Sequence, residues 1–556
     1  MSGIAFQNVA GLKPGRTRFD WHTTRKLDLE MGQLIPIFLQ KCIPGDWWNI
    51  DQDILIRCTP LIAPIMHEVH IDTHYFFIPE RILDDCNSRP GCGNPKGDPI
   101  LLNGAAPPAT RFNWELFITG GFDGNDVQTT PKWNPGNGST KGKGCGQYSL
   151  WDYFGLPTIN GTWTSPLQPQ DSPRRAYNFI YNEYYRDETL QNVVPWTNDE
   201  ILNRAWRKDY FTSALPFQQR GIAPAFPVSG NLNAQFNINV DNNSVMIPLG
   251  ISTASGQNLA TVVQSGGSNK VALSYNATPS LSGTLYSNEN INSKLNESLN
   301  NNTIDVSNAI TFDVADLRNI VQLQKYLERN ARAGVRLNEF LKAHFDENLR
   351  DERIQRPEYI GGTKQPLIIS EVLQTSESNN TPQGNMAGHG ISANGEHVGN
   401  YKCVEHGWII GIMSVMPMPA YQQGINRTLL ADTKLDFFTP EFVNLSEQGI
   451  KQGEIFIANN STDEQLFGYQ GMYDEYRTQN SVVCGAFKNE LNYWHLGRIF
   501  SNAPSLNSSF IEVKPEDTRR IFVDQTVPGL LCDIEHYFTA VRPMPEIAEP
   551  GLLDHH

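Results

Sequence analysis

Alternation of apolar and polar side chains narrows what this chain can fold into more than any other feature. In MGQLIPIFLQKCIPGDWWNI, Met31 to Ile50, the apolar residues Ile35, Ile37, Leu39 and Ile43 fall on odd positions. After Pro44-Gly45-Asp46 they move to even positions (Trp48, Ile50, Ile54, Ile56, Cys58), with Asn49, Asp51, Asp53 and Arg57 between them. A period of two is the signature of a strand, and Pro-Gly between two such runs suits a type II turn. The stretch predicts a strand pair around that turn. A third strand follows: Val69, Ile71, Thr73, Tyr75 and Phe77 share one face, Glu68, His70, Asp72 and His74 the other, and Pro79 ends the ladder by lacking a donor.

The same stretch, preceded by Lys13, Arg16, Arg18, Arg25 and Lys26, also has to be tested as an export signal. Pro36 breaks its apolar run, Gln40 and Lys41 end it, and no small-residue cleavage site follows. No window approaches the ~18 consecutive apolar residues of a membrane span. The expectation is a chain neither exported by this segment nor held in a membrane.

Further along, residues 86–147 are rich in Gly, Pro and Asn and read as a long loop, with a short helical or strand piece at Phe112 to Ile118. Thr197-Asn198-Asp199-Glu200 has the form of a capping box and predicts a helix toward Tyr210. A longer helix is expected from about Asp313 to His344, with Leu317, Ile320, Leu323 and Leu327 at helical spacing and Gly334 interrupting it. Between these lies the sharpest change of composition. Residues 231–310 hold 17 Asn and 12 Ser, no Trp and six charges, too little apolar surface for an ordinary core. That segment reads as an exposed insertion carrying short strands such as Ser244 to Leu249, the alternative being a linker. Alternating runs return at Gly407 to Val415 and Cys532 to Val541. Strands from both ends of the chain, with helices and loops inserted between, suit a sandwich or jelly roll.

The chemistry-bearing residues do not assemble into an enzyme. The chain has no G-x-S-x-G, Walker or G-x-G-x-x-G motif. His67, His70 and His74 on a strand lie too far apart to share a metal ion, since four residues span about 13 Å. In YNFIYNEYYRDETL the carboxylates Glu183, Asp187 and Glu188 are read as packed among tyrosines beside Arg186, in preference to a catalytic dyad. Eight scattered cysteines without a C-x-x-C pair predict mostly free thiols in a reducing compartment. A net charge of -15 excludes a surface that binds nucleic acid all over. Any contact with nucleic acid needs a local patch or a cationic helper. The tract Lys13 to Lys26, with Phe19, Trp21 and His22 among its cations, offers charges for phosphates and rings for unpaired bases. A solvated arm or a subunit contact explains it equally well. Two rival classes remain on the residues alone: a carbohydrate-binding β-sandwich, and a metal-dependent β-barrel enzyme using His70 and Asp72.

FDWHTTRKLDLEMGQLIPIF and APIMHEVHIDTHYFFIPERIL resemble the N-terminal signature of the major capsid proteins of microviruses, most closely the gokushovirus branch. YNFIYNEYYRDETL, DYFTSALPF, LQKYLERNARAG, RPEYIGG, EHGWIIG, YQQGINR and the terminal RPMPEIAEPGLLDHH extend the resemblance, in order, to residue 556. It implies a mainly β fold, an eight-stranded antiparallel jelly roll of the viral capsid type with long inserted loops and several helices, as one domain over 1–556. It further implies a structural virion protein without enzymatic activity or cofactor. Such a chain self-assembles into a small icosahedral (T=1) homo-oligomer around circular single-stranded DNA of a bacteriophage, built in the host bacterial cytoplasm. A small basic DNA-binding virion protein, an internal scaffolding protein, a pilot protein and a bacterial host receptor are the implied partners. By position, residues 228–309 correspond to the insertion that builds a protrusion at the threefold axes. Candidate host-attachment residues there are Asn231, Asn258, Tyr275, Tyr286 and Asn301, and candidate DNA-binding residues are Lys13, Arg16, Arg18, Arg25 and Lys26. The loop at 86–111 is longer than the family pattern.

Overall fold

The structure is a computed structural model that describes residues 15–84, 133–224, 261–264, 271–274, 314–334, 336–348, 350–373, 386–445 and 447–547. The readings at Lys13, Phe112 to Ile118, Ser244 to Leu249, Asn231, Asn258, Tyr275, Tyr286 and Asn301 lie outside the described residues. The chain parts into two compact units, Met1–Gly221 with Leu327–His556, and Ile222–Tyr326.

Two antiparallel sheets organise the larger unit. The first has the order β1 (Thr17–Leu29), β13 (Leu530–Arg542), β3 (Trp47–Cys58), β9 (Met386–Lys402), β8 (Ile368–Leu373). The second has the order β2 (Ile35–Cys42), β10 (Gly407–Pro417), β4 (Val69–Pro79), β7 (Glu358–Pro366). The chain alternates between sheets from β1 through β4, keeps β4 and β7 in one sheet, then returns through β9, β10 and β13. Eight strands in that order are a jelly roll. The ninth, β8, continues β7 past the buried Leu367 and crosses to the first sheet. A two-stranded ladder, β11 (Gln448–Lys451) with β12 (Leu466–Gln470), lies in the long connection between β10 and β13.

The predicted strand pair at Ile35 to Cys58 is not a hairpin. Its turn is there: Gly45 has φ +94° and the Asp46 amide donates to the Ile43 carbonyl at 3.1 Å. The turn instead carries the chain from one sheet to the other. β2 buries Ile35, Pro36, Ile37 and Phe38 in succession, so both its faces need cover. β3 alternates buried and outward positions, as a strand with one wet face does. Backbone bonds of 2.8 Å from Gly45 to Cys403 and from Cys403 to Asp46 tie the crossing to the end of β9.

Between the sheets lies the main core, where Ile37, Trp48, Ile54, Ile71, Tyr75, Phe77, Ile409, Met413, Ile534 and Phe538 meet. One polar knot sits inside it. The Gln52 amide donates to the Thr73 and Thr363 hydroxyls at 2.8 and 2.9 Å, and the Tyr75 hydroxyl donates to Gln52 Oε1 at 2.8 Å. All four residues are buried, and their mutual bonds meet the requirement that interior polar groups be satisfied.

The second sheet is also covered on its far side. Helix α1 (Ser172–Ile180) and the π-helical turn Tyr181–Tyr185 pack Tyr177, Phe179, Ile180 and Tyr181 against Phe76, Ile78, Ile410 and Ile412. The tyrosine packing expected for YNFIYNEYYRDETL is what this layer is made of, and Glu183 and Glu188 lie 3.9 and 2.7 Å from the Arg336 guanidinium. The helix expected from Thr197 to Tyr210 is absent. Asp199 is engaged by the Arg174 guanidinium at 2.9 Å, and the Asn198 side chain donates to the Glu200 carbonyl. The following backbone runs extended, bonding Leu34 to Leu202, Arg204 to Gly32 and Trp206 to Ile511. Those tertiary backbone bonds replace the internal ladder of a helix.

The long helix forms as α2 (Val314–Ala333), ends at Gly334 with φ +95°, and resumes as α3 (Leu337–Phe345). Glycine tolerates that left-handed conformation where other residues do not. In the smaller unit, β5 (Thr261–Gln264) and β6 (Val271–Ser274) pair as an antiparallel hairpin.

Candidate nucleic-acid and subunit interface

From Thr17 onward the basic tract is strand β1 at the edge of the first sheet. Its alternation sorts the candidate cations. Arg16, Arg18 and Lys26 are exposed, whereas Arg25 turns inward and donates to the carbonyls of Pro36 and Tyr153 at 3.2 and 3.0 Å. Burial pushes the Arg25 pKa down. This guanidinium clamps β1 to β2, so Arg25 is withdrawn from the DNA-binding set: its donors are held by the protein's own backbone.

On the outward face of the sheet several cations face acids. Lys26 Nζ lies 2.5 Å from Asp533, Arg18 Nε 2.9 Å from Asp20, and His397 Nδ1 2.6 Å from Asp51. The His22 ring stacks on Tyr537 at 4.6 Å, and its Nε2 is 3.7 Å from Glu535. Exposed pairs of this kind contribute little to stability. Their effect here is electrostatic, because a phosphate reaching Arg18 or Lys26 competes with a carboxylate already in place.

The histidines that suggested a metal serve as structural partners. His67 Nε2 bonds the Met418 carbonyl at 2.7 Å, His70 bonds Glu68, and His74 Nδ1 bonds the Tyr185 hydroxyl at 2.8 Å. Burial, helped by the Arg204 charge, holds the His74 pKa down at about 4. Asp72 is taken by Arg204 at 2.8 Å and Arg207 at 3.3 Å, which removes the ligand pair of the metal-enzyme alternative. The six described cysteines are free thiols, five of them buried. Among the described residues no helix is long and apolar enough to cross a membrane.

Sequence reasoning missed an exposed apolar stretch in the connection between β10 and β13. Leu429, Leu435, Phe437, Phe438 and Leu445 are all exposed there. Elsewhere in the same connection, Arg498 is enclosed by the rings of Trp206, Tyr421, Phe500 and Phe510 at 4.1 to 5.8 Å. The signal was present in the clustering of apolar residues without strand or helix period in LLADTKLDFFTPEFVNL.

A jelly roll with long connections is an architecture found in the viral capsid class, which shares it with lectins and cupins. Comparison with known proteins agrees. The capsid protein (F protein) family of phages matches residues 7–88 and 111–552, and the chain belongs to that family. The capsid protein VP1 of Chlamydia phage 1 is 30% identical, over 98% of this chain and 97% of the relative. That of Bdellovibrio phage phiMH2K is 31% identical over the same shares, and that of Spiroplasma virus 4 is 27% identical over 94% and 92%. The resemblance to gokushovirus-type microvirus capsid proteins is borne out. The chain is a major capsid protein, a structural component of a virion and not an enzyme.

Proposed function

We propose that copies of this chain close into a T=1 icosahedral shell around circular single-stranded DNA, with residues 228–309 forming a surface insertion that contributes to host attachment. The observation that carries the reading is the jelly-roll strand order on a chain that matches the F-protein family along nearly its whole length. Assembly takes place in the bacterial cytoplasm with an internal scaffolding protein, and a pilot protein joins the particle. The net charge of -15 supports the need for a small basic virion protein to neutralise DNA phosphates. Direct DNA contact by the subunit falls to the exposed Arg16 and Arg18 and to Lys26, with Lys13 ahead of them. Asn231, Asn258, Tyr275, Tyr286 and Asn301 belong to the attachment insertion.

Electron microscopy of the expressed chain with its virion partners tests the shell: uniform icosahedral particles are expected, and a soluble monomer at assembly concentrations refutes it. Deleting 231–308 is expected to leave subunit folding intact and to abolish attachment to the host, and loss of soluble subunit counts against the insertion. Replacing Arg16, Arg18 and Lys26 by Gln is expected to lower the packaged DNA; unchanged DNA content removes them as contacts.

A further inference from the structure

Between Gln422 and Leu445 no residue is buried, although the stretch carries Ile425, Leu429, Leu430, Leu435, Phe437, Phe438, Phe442, Val443 and Leu445. Leu429 is 79% exposed, Phe437 58% and Phe438 54%. Nine large apolar side chains in 24 residues lie outside any core, and apolar groups concentrated at a surface mark interaction sites.

The stretch is nonetheless firmly held. Arg427 donates to the Gly449 carbonyl at 2.7 Å, pairs with Glu454 at 3.1 Å and lies 3.7 Å from Asp436, which brings the two ends of 427–436 together. Asp436 accepts from the amide and hydroxyl of Thr433, both at 2.7 Å. The buried Tyr473 donates its hydroxyl to the Phe437 carbonyl at 3.0 Å, and its ring lies 5.3 Å from Phe438. The half-buried Arg427 and Asp436 therefore anchor the backbone, while Ile425, Leu429, Leu430, Leu435, Phe437, Phe438 and Leu445 are exposed. The anchored backbone holds these apolar side chains at the surface.

We propose that Gln422–Leu445 is a contact through which one copy of this chain grips a second copy in the shell; this rests on the shell reading above. The charges favour that occupant. The stretch holds two cations, Arg427 and Lys434, against three acids, Asp432, Asp436 and Glu441, so it has no field for a phosphate backbone or for a strongly basic partner. Two copies of net charge -15 repel at long range, and contact between them has to come from short-range burial of apolar surface. A standard interface takes ~800 Å² from each partner, and these exposed side chains supply part of such a share. Because the loop is tied down before contact, association loses little further chain entropy.

The test is velocity sedimentation of the full chain, wild type against Phe437→Asp/Phe438→Asp, with far-UV circular dichroism and melting temperature as folding controls. Both rings are exposed, so the double variant is expected to fold and melt like the wild type. Its self-association is expected to be weaker by roughly tenfold or more, the loss typical of central aromatic contacts. A second pair, Leu429→Asp/Leu435→Asp, is expected to behave the same way, which guards against a folding defect peculiar to one variant. Equal self-association of wild type and both variants overturns the inference and leaves the shell reading intact. A wild type that stays monomeric at every concentration, both alone and with its virion partners present, overturns both. A wild type that associates only when another virion protein is added, and loses that association on substitution, overturns the choice of a second copy as the occupant.

Discussion

The histidine buried in the sandwich makes the subunit acid-sensitive, to an extent that can be worked out. His536 on β13 is 1% exposed, its ring lies 5.3 Å from both Phe38 and Phe538, and its buried Nε2 has no hydrogen-bond partner. Burial, reinforced by the Arg25 charge, lowers its pKa to about 3, against an ordinary value of 6.5. The folded state thus binds fewer protons at this site than the unfolded state throughout the window from pH 6.5 down to about 3. Stability rises with pH inside that window, so acidification removes it, and above pH 6.5 the site contributes no pH dependence. At pH 5, one and a half units into the window, the loss is about 2 kcal/mol, and near pH 3 it reaches about 4 kcal/mol. The smaller figure is already a large part of a typical domain's 5–15 kcal/mol. His74, with its pKa held at about 4 by burial and Arg204, adds a loss of the same sign, and carboxyls raised by burial such as Glu30 and Glu454 oppose it. Replacing His536 by Phe isolates the one site, because every other titrating group is retained. The assay is denaturant unfolding followed by tryptophan fluorescence at pH 7 and pH 5, for wild type and His536→Phe. The wild type is expected to lose about 2 kcal/mol more than the variant between the two pH values. If both lose the same amount within ~0.5 kcal/mol, the site does not titrate as argued and the reasoning fails.

Two further outcomes follow from the same geometry. Gly45→Ala places a side chain at φ +94° in the turn between the sheets, and a fall in stability of about 1–2 kcal/mol is expected by thermal melting; an unchanged melting temperature would show that the turn relaxes. Asp72→Asn removes the charge facing Arg204 and Arg207 and is expected to cost about 3 kcal/mol in denaturant unfolding, whereas a loss below ~1 kcal/mol would mean that solvent already screens the pair.

What the sequence determined by itself was local or repetitive. Alternation along Trp47–Cys58 and Leu530–Arg542 follows from side chains projecting to opposite faces of a strand, and needs no neighbour to be read. The turn at Pro44-Gly45 and the helix break at Gly334 follow from backbone freedom at single residues. The density of family motifs carried the identity of the chain. Tertiary structure decided the rest. Which sheet takes β2 and which takes β3 depends on partners hundreds of residues away, β10 and β13, that local pattern cannot name. A capping box at Thr197 lost to backbone bonds with Leu34, Gly32 and Ile511, because those tertiary bonds satisfied the same groups that a helix would have paired within itself. Arg25 and Arg18 look alike in the sequence, yet one faces the carbonyls of Pro36 and Tyr153 and the other faces water. The stretch Gln422–Leu445 carries nine large apolar side chains, and only the fold shows that none of them lies in a core. Composition reports how much surface a chain wants to bury, whereas three-dimensional packing decides what is left for a neighbour to cover.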